Sequence, residues 1–319
     1  MQYRRSEYDV TDRVKLRNPY AVYHEIRSIL AGICPESMSE PLHQAFSDLT
    51  QMYKGDLDGY LACDVPYHDL QHVMDVTLAA ARLISGFEQS NRKSKRLGPK
   101  RAVLGIILAL YHDCGYIRSV QDGQHDNGAE YTRSHISRGA DYLTEYLPRI
   151  GLADAVPLLT RLIHFTGYEM LIENIDMSSR KDRILGYLVG SADLLAQMAD
   201  RCYLEKCRDR LYPEFVLGGM TTTIKDDGTE KVLYDSPEDL LRKTPEFYES
   251  MAKKRMEEKF ENVSQYAKTF FGGQDLYHEE IDRNLGHLNW VIKEGDFSLL
   301  RRTLPDTPES QAFPYQRVA

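Results

Sequence analysis

Apolar residues recur through the first two-thirds of the chain at three- and four-residue intervals, the spacing that lines one face of an α-helix. The pattern predicts helices over about 20–32, 38–53, 68–86, 99–113, 127–147, 152–164 and 180–209. Turn residues separate them, among them Pro35, the Gly98-Pro99 pair, Gly123 and Gly151. One stretch breaks the pattern. In GGMTTTIKDDGTEKVLY, residues 218–234, β-branched runs flank Asp227-Gly228, which predicts a small hairpin closed by a type I′ turn. Helical spacing resumes in SPEDLLRKTPEFYESMAKKRMEEKFENVSQYAKTFF and in DLYHEEIDRNLGHLNWVIKEGD, both amphipathic and highly charged. Neither alternating strands nor an internal repeat occurs, so an all-α protein with one small hairpin is expected.

Charge narrows the function classes. Acidic residues outnumber basic ones by 48 to 40, a net charge of −8, which disfavours bulk capture of nucleic acid by the surface. The basic run NRKSKRLGPKR at 91–101 reads as a solvated loop, with an anion-steering patch as the second reading. The start, MQYRRSEYDVTDRVKLRNPY, has no apolar segment of the secretory kind, and the longest apolar run, AVLGIILALY, is too short to cross a bilayer. Five cysteines include no CxxC pair, so no disulfide framework is expected. These features together predict a cytoplasmic protein without a membrane partner.

Six of the ten histidines fall between His68 and His164, and their settings give them a chemical reading. His68 and His72, four apart in PYHDLQHVMDV, project from one face of a helix about one turn apart. The apolar helix AVLGIILALYHDCGY ends in His112-Asp113, an imidazole and a carboxylate on a segment that otherwise carries no charge. Burying a lone carboxylate costs several kcal/mol, which a metal ion, a helix N-terminus or an arginine can offset. His135 lies in an apolar stripe with Ile136, Ala140 and Leu143; His164 ends the run VPLLTRLIH; Asp193 sits among Leu188, Val189, Ala192, Leu194 and Leu195. Taken singly, each of these three also reads as a satisfied core polar residue.

The order His72, His112-Asp113, His135, His164, Asp193 resembles the HD superfamily of metal-dependent phosphohydrolases, named for the His-Asp doublet. The resemblance covers roughly residues 60–210 and implies an HD-domain helical bundle. It implies His72, His112, Asp113 and Asp193 around one ion, and His135 and His164 at a second, as in the HD-GYP phosphodiesterases and HD-type diiron proteins. YHDLQHVMDV is also similar to the YHNxxHAxDV signature of class I cyclic-nucleotide phosphodiesterases, which makes His68 the proton donor to the leaving oxygen. Asp69 stands where that signature has asparagine, and His164-Phe165-Thr166-Gly167-Tyr168-Glu169 keeps only part of the HD-GYP element. The implied organisation is an N-terminal helical extension (1–57), the HD metal-binding core (58–210), a hairpin with accessory C-terminal helices (211–302) and a flexible tail (303–319).

The expected function is therefore a metal-dependent phosphohydrolase or phosphodiesterase acting on a small phosphoester, a nucleotide-type substrate above all, through a metal-activated hydroxide. His68 and Asp113 are the expected catalytic residues. Imidazole and carboxylate donors without thiolate suit two divalent transition ions, Fe, Mn, Zn or Co, with Mg admissible at the second position. Arg118, Arg133 and Lys181 are candidate substrate contacts, as is Arg183, while Asp75 and Glu130 are candidate partners for a ligating imidazole. Tyr116 and Tyr168 read equally as base-stacking residues and as wall residues, and His125 as solvated. Two other classes use the same residues, an HD-type diiron oxygenase and a non-catalytic metal-binding regulatory module. A homodimer is compatible with all three.

Overall fold

The segment Leu70–Glu88 is buried along its whole length, so the helix it forms is wrapped by the rest of the chain. The computed structural model describes residues 4–225 and 227–304, and from residue 305 the expected tail lies outside the described residues. The first two-thirds fold into α1 (Pro19–Leu30), α2 (Ser39–Lys54), α3 (Leu70–Ser90), α4 (Pro99–Tyr111), α5 (His135–Arg149), α6 (Val156–Leu162) and α7 (Arg180–Ala199). Local chemistry sets several starts. The Asn18 side chain accepts from Ala21 N ahead of Pro19, Asp69 accepts from His72 N, and Ser179 caps α7.

α3 packs against α1, α4, α7 and α11 (Tyr266–Phe270), and α12 (Leu276–Glu294) lies against α7. One apolar cluster runs from Val10 to Leu300, so the N-terminal segment and the C-terminal helices share a core with the central helices. Arg82 of α3 lies in that core, where the Asp9 carboxylate meets Nη2 and the Tyr277 hydroxyl lies 3.0 Å from Nη1. No helix among the described residues is long and apolar enough to cross a membrane.

The boundaries differ from expectation where a side chain or a turn takes over. The predicted 127–147 helix is a short turn, Gly128–Tyr131, followed by α5. The predicted 180–209 helix stops at Ala199; after Asp200 it resumes as α8 (Tyr203–Lys206), a π-helical turn (Cys207–Leu211) and α9 (Tyr212–Leu217). The long helix expected over 236–271 is likewise divided, into α10 (Pro237–Phe247), two π-helical turns and α11. In the hairpin, β1 (Thr222–Ile224) pairs antiparallel with β2 (Glu230–Val232), Ile224 opposite Glu230. That register puts 225–229 in the connection, not a two-residue type I′ turn. Asp227 spends its carboxylate on Thr229 N and Oγ1, a local turn that competes with the tighter one.

Candidate metal centre

His112 and Asp113 follow directly on the apolar helix α4, and both side chains are buried. His112 Nδ1 donates to Ala109 O at 2.7 Å, which fixes the ring and leaves Nε2 beside Asp113. From α3, His72 brings a second ring nitrogen to the same place. Asp113 Oδ2 lies 3.1 Å from His112 Nε2 and 3.3 Å from His72 Nε2, and the donor atoms of this trio all lie within 4.8 Å of one another. Asp193 Oδ1, reaching in from α7, stands 3.5 Å from His72 Nε2 and 3.7 Å from His112 Nε2. His72, His112 and Asp113 are buried, whereas His68, His135 and Asp193 are partly exposed.

His135 approaches the other carboxylate oxygen, its Nε2 3.8 Å from Asp113 Oδ1 and its Nδ1 donating to Thr132 O. Two remote residues hold it there. Gly115 lets the turn after the doublet touch the start of α5: a Cβ at 115 would lie 1.8 Å from His135 O. Glu169 then caps α5, accepting from Ile136 N at 2.8 Å and from Ser137 N. The Glu169 carboxylate therefore serves as a helix cap supplied from another part of the chain. His164 lies in a turn, Ile163–Phe165, that packs on both α5 and α7; its Nδ1 is buried and has no hydrogen-bond partner among the described residues.

His68 is held by a residue the sequence reading did not single out. Glu214, fully buried in α9, meets His68 Nδ1 with one carboxylate oxygen and accepts from Tyr67 N at 2.8 Å with the other. Arg210, one turn earlier, pairs with Asp69 at 3.0 Å, and Lys206, a turn before that, pairs with Asp200. Through Glu214 and Arg210, one face of the 203–217 rod thus clamps residues 67–69, which lead into α3. A charge every fourth residue among Tyr203, Leu204, Cys207, Leu211 and Phe215 is the available sequence signal. The Tyr116 ring stacks on both His68 and His135, with centroids 4.6 Å and 4.4 Å apart, and serves as a wall.

Electrostatics follow from this crowding. Burial pulls the His68 imidazolium down, but the Glu214 and Asp113 carboxylates more than offset it, so its pKa is raised. For His72, burial is likewise outweighed, by the Asp113 and Asp193 carboxylates that stand 3.3 Å and 3.5 Å from its Nε2, and its pKa is pushed up to about 10. Burial also opposes the Asp113 carboxylate, yet the imidazoles of His112 and His68 hold it well below the usual carboxylate range. Burial leaves His135 and His164 lowered, hence neutral and available as donors.

The candidate substrate cations separate. Lys181 is twelve residues up α7 from Asp193, about 18 Å by helical rise, and donates to Arg96 O. Arg118 is bound to Asp64 and to His125 O, locking a loop. Arg133 is exposed two residues before His135 and donates at 3.5 Å to Gly219 O. Arg183 donates to Met177 O, and Glu130 caps the 128–131 turn and pairs with His125. Sequence inspection missed Arg255, whose guanidinium donates to Phe165 O and Gly167 O and lies 4.3 Å over the Tyr168 ring.

The donor set fits a divalent ion. His112 Nε2 and Asp113 Oδ2 are buried without a hydrogen-bond partner among the described residues, a cost that a shared cation removes. Comparison with protein-family models, curated proteins and solved structures finds no match to this chain.

Proposed function

We propose that the chain is a metal-dependent phosphohydrolase of the HD type, acting on a small phosphoester with a nucleotide-type leaving group. The observation that carries this reading is the pair of orphaned buried atoms, His112 Nε2 and Asp113 Oδ2, facing His72 and Asp193. These four residues would hold one ion, and Asp113 with His135 would hold a second, for which His164 is the further candidate ligand. Bound there, divalent ions supply Lewis-acid polarisation of a phosphoryl oxygen and a water of lowered pKa.

The remaining chemistry belongs to the chain. His68, whose pKa the Glu214 carboxylate raises, would give its proton to the leaving alkoxide. Tyr116 stacks on its ring and forms a wall beside it. Of the candidate substrate cations Arg118, Arg133 and Lys181, Arg133 is the one exposed close in sequence to His135, held by a 3.5 Å hydrogen bond to Gly219 O, whereas Arg118 and Lys181 are committed elsewhere. A dedicated proton donor favours hydrolysis over dioxygen activation. The test is release of p-nitrophenol from bis-p-nitrophenyl phosphate by protein loaded with Mn²⁺, followed by a nucleotide and phosphoester screen. Metal-dependent turnover that His68→Ala lowers by about 10²-fold supports the reading. A coupled diiron EPR signal in aerobically purified protein, without any turnover, overturns it in favour of an oxygenase.

A further inference from the structure

Beside His72 lies a cavity of about 10 Å³, with no other residue of the doublet site in its wall, that none of the proposed chemistry uses. That is the room one water molecule needs. Its wall is unusually polar for a helix interface: Tyr67, His72 and Asp75 from the α3 end, Gln197 from α7, and Asp200 and Lys206 from the turn and helix that follow. Most of these groups are already matched. Lys206 pairs with Asp200, Asp200 also accepts from Cys202 N, and the Tyr67 hydroxyl donates to Gln197 Oε1 at 3.4 Å.

Asp75 is the exception. It is 6% exposed, and its Oδ1 is buried with no hydrogen-bond partner among the described residues. A buried carboxylate oxygen left unmatched costs about 1–3 kcal/mol or more, so an uncompensated one beside a water-sized space calls for an occupant. His72 supplies the second reason. Its Nε2 is turned to Asp113 and Asp193, so Nδ1 is the ring nitrogen left for the cavity it lines. His112 and His135 each donate Nδ1 to a backbone carbonyl, whereas no described hydrogen bond uses the Nδ1 of His72.

We propose that this cavity binds one ordered water that accepts from His72 Nδ1 and Gln197 Nε2 and donates to Asp75 Oδ1. Three partners lie within the number such buried waters make. Asp75 is then a positioning residue: through the water it fixes the tautomer and ring plane of His72, as the Ala109 carbonyl does directly for His112. The effect on metal uptake rests on the metal reading above, but the water site itself does not.

Two measurements on the full chain test this. The first is a high-resolution crystal structure of the metal-free protein. Density for a water within hydrogen-bond distance of Asp75 and His72 supports the site, whereas a dry cavity, or His72 Nδ1 bonded directly to protein, overturns it. The second is Mn²⁺ and Zn²⁺ affinity by calorimetry. Asp75→Leu, which removes the acceptor, is expected to weaken binding about 10- to 100-fold, while Asp75→Asn, which keeps an acceptor for the water, stays within a few-fold. Unchanged affinity in folded Asp75→Leu overturns the positioning role. If Asp75→Leu does not fold, Gln197→Leu takes its place with the same expected direction and the same overturning result. Failure of the wild-type chain to take up any ion sinks the metal reading and the positioning role with it, and the metal-free crystal structure still decides the water.

Discussion

Glu214 holds His68 from 146 residues away in the sequence, and it does so with a carboxylate that has no solvent exposure. Such a buried charge is tolerable only because His68 Nδ1 and the Tyr67 backbone N–H both turn to it. The relationship sets the protonation of His68. With Glu214 present the pKa lies above the ordinary value; in Glu214→Gln the burial that pulls it down remains and the main compensating charge is gone. The alkaline limb of the kcat/KM profile is therefore expected to move to lower pH in Glu214→Gln, with the metal content unchanged. An unmoved limb would separate His68 from proton donation.

Gly115 carries a prediction about the second half of the centre. A methyl group at 115 would lie 1.8 Å from His135 O, so Gly115→Ala must push the start of α5 away from the doublet. The expected cost is about 1–3 kcal/mol from overpacking, read as a lowered denaturation midpoint. Metal titration of the same variant should lose its weaker step, because His135 moves away from Asp113, while the stronger step persists.

The Asp9–Arg82 pair predicts acid sensitivity unconnected with the metal site. Burial works against the Asp9 carboxylate, but the Arg82 charge and the Val14 amide more than offset it, so its folded pKa lies below the model-compound value of 3.8. Its stabilisation is present above that value and is lost as pH falls through the folded pKa. Asp9→Ala leaves the Arg82 guanidinium buried without its counter-charge and is expected to cost about 3–5 kcal/mol by urea denaturation at pH 7. A midpoint equal to that of the parent would show the pair to be dispensable.

Metal uptake should release protons. In the metal-free chain the Asp113 and Asp193 carboxylates beside His72 raise its pKa to about 10, and an ion can take that nitrogen only after the proton leaves. Calorimetric titrations with Zn²⁺ at pH 7 in buffers of different ionisation enthalpy should give different apparent heats. Identical heats would place the ion elsewhere.

The all-α character was legible in the helical spacing, and so were the residues brought together at the doublet. His72 and Asp193 interrupt apolar helices and His112-Asp113 directly follows one, and a polar group beside a core-facing stripe has few places to point. What escaped was non-local. Glu214 and Glu169 act on His68 and on the start of α5 from distant segments, and neither local period nor spacing encodes such a pairing. Lys181 misled for the opposite reason: it shares a helix with Asp193, but the rise of that helix carries it away. The Asp227-Gly228 signal was real as a turn and wrong as a turn type, because the Asp227 side chain closes its own local ring with Thr229.

The central claim is that His72, His112, Asp113 and Asp193 form a metal site, and metal stoichiometry tests it most directly. The full chain, stripped with chelator and reloaded with Mn²⁺ or Zn²⁺, should retain at least one ion per chain after gel filtration. Asp113→Ala and His112→Ala, checked for folding by circular dichroism, should retain none at the first site. Fewer than one ion per chain in the parent, or full loading in a folded Asp113→Ala variant, would contradict the account.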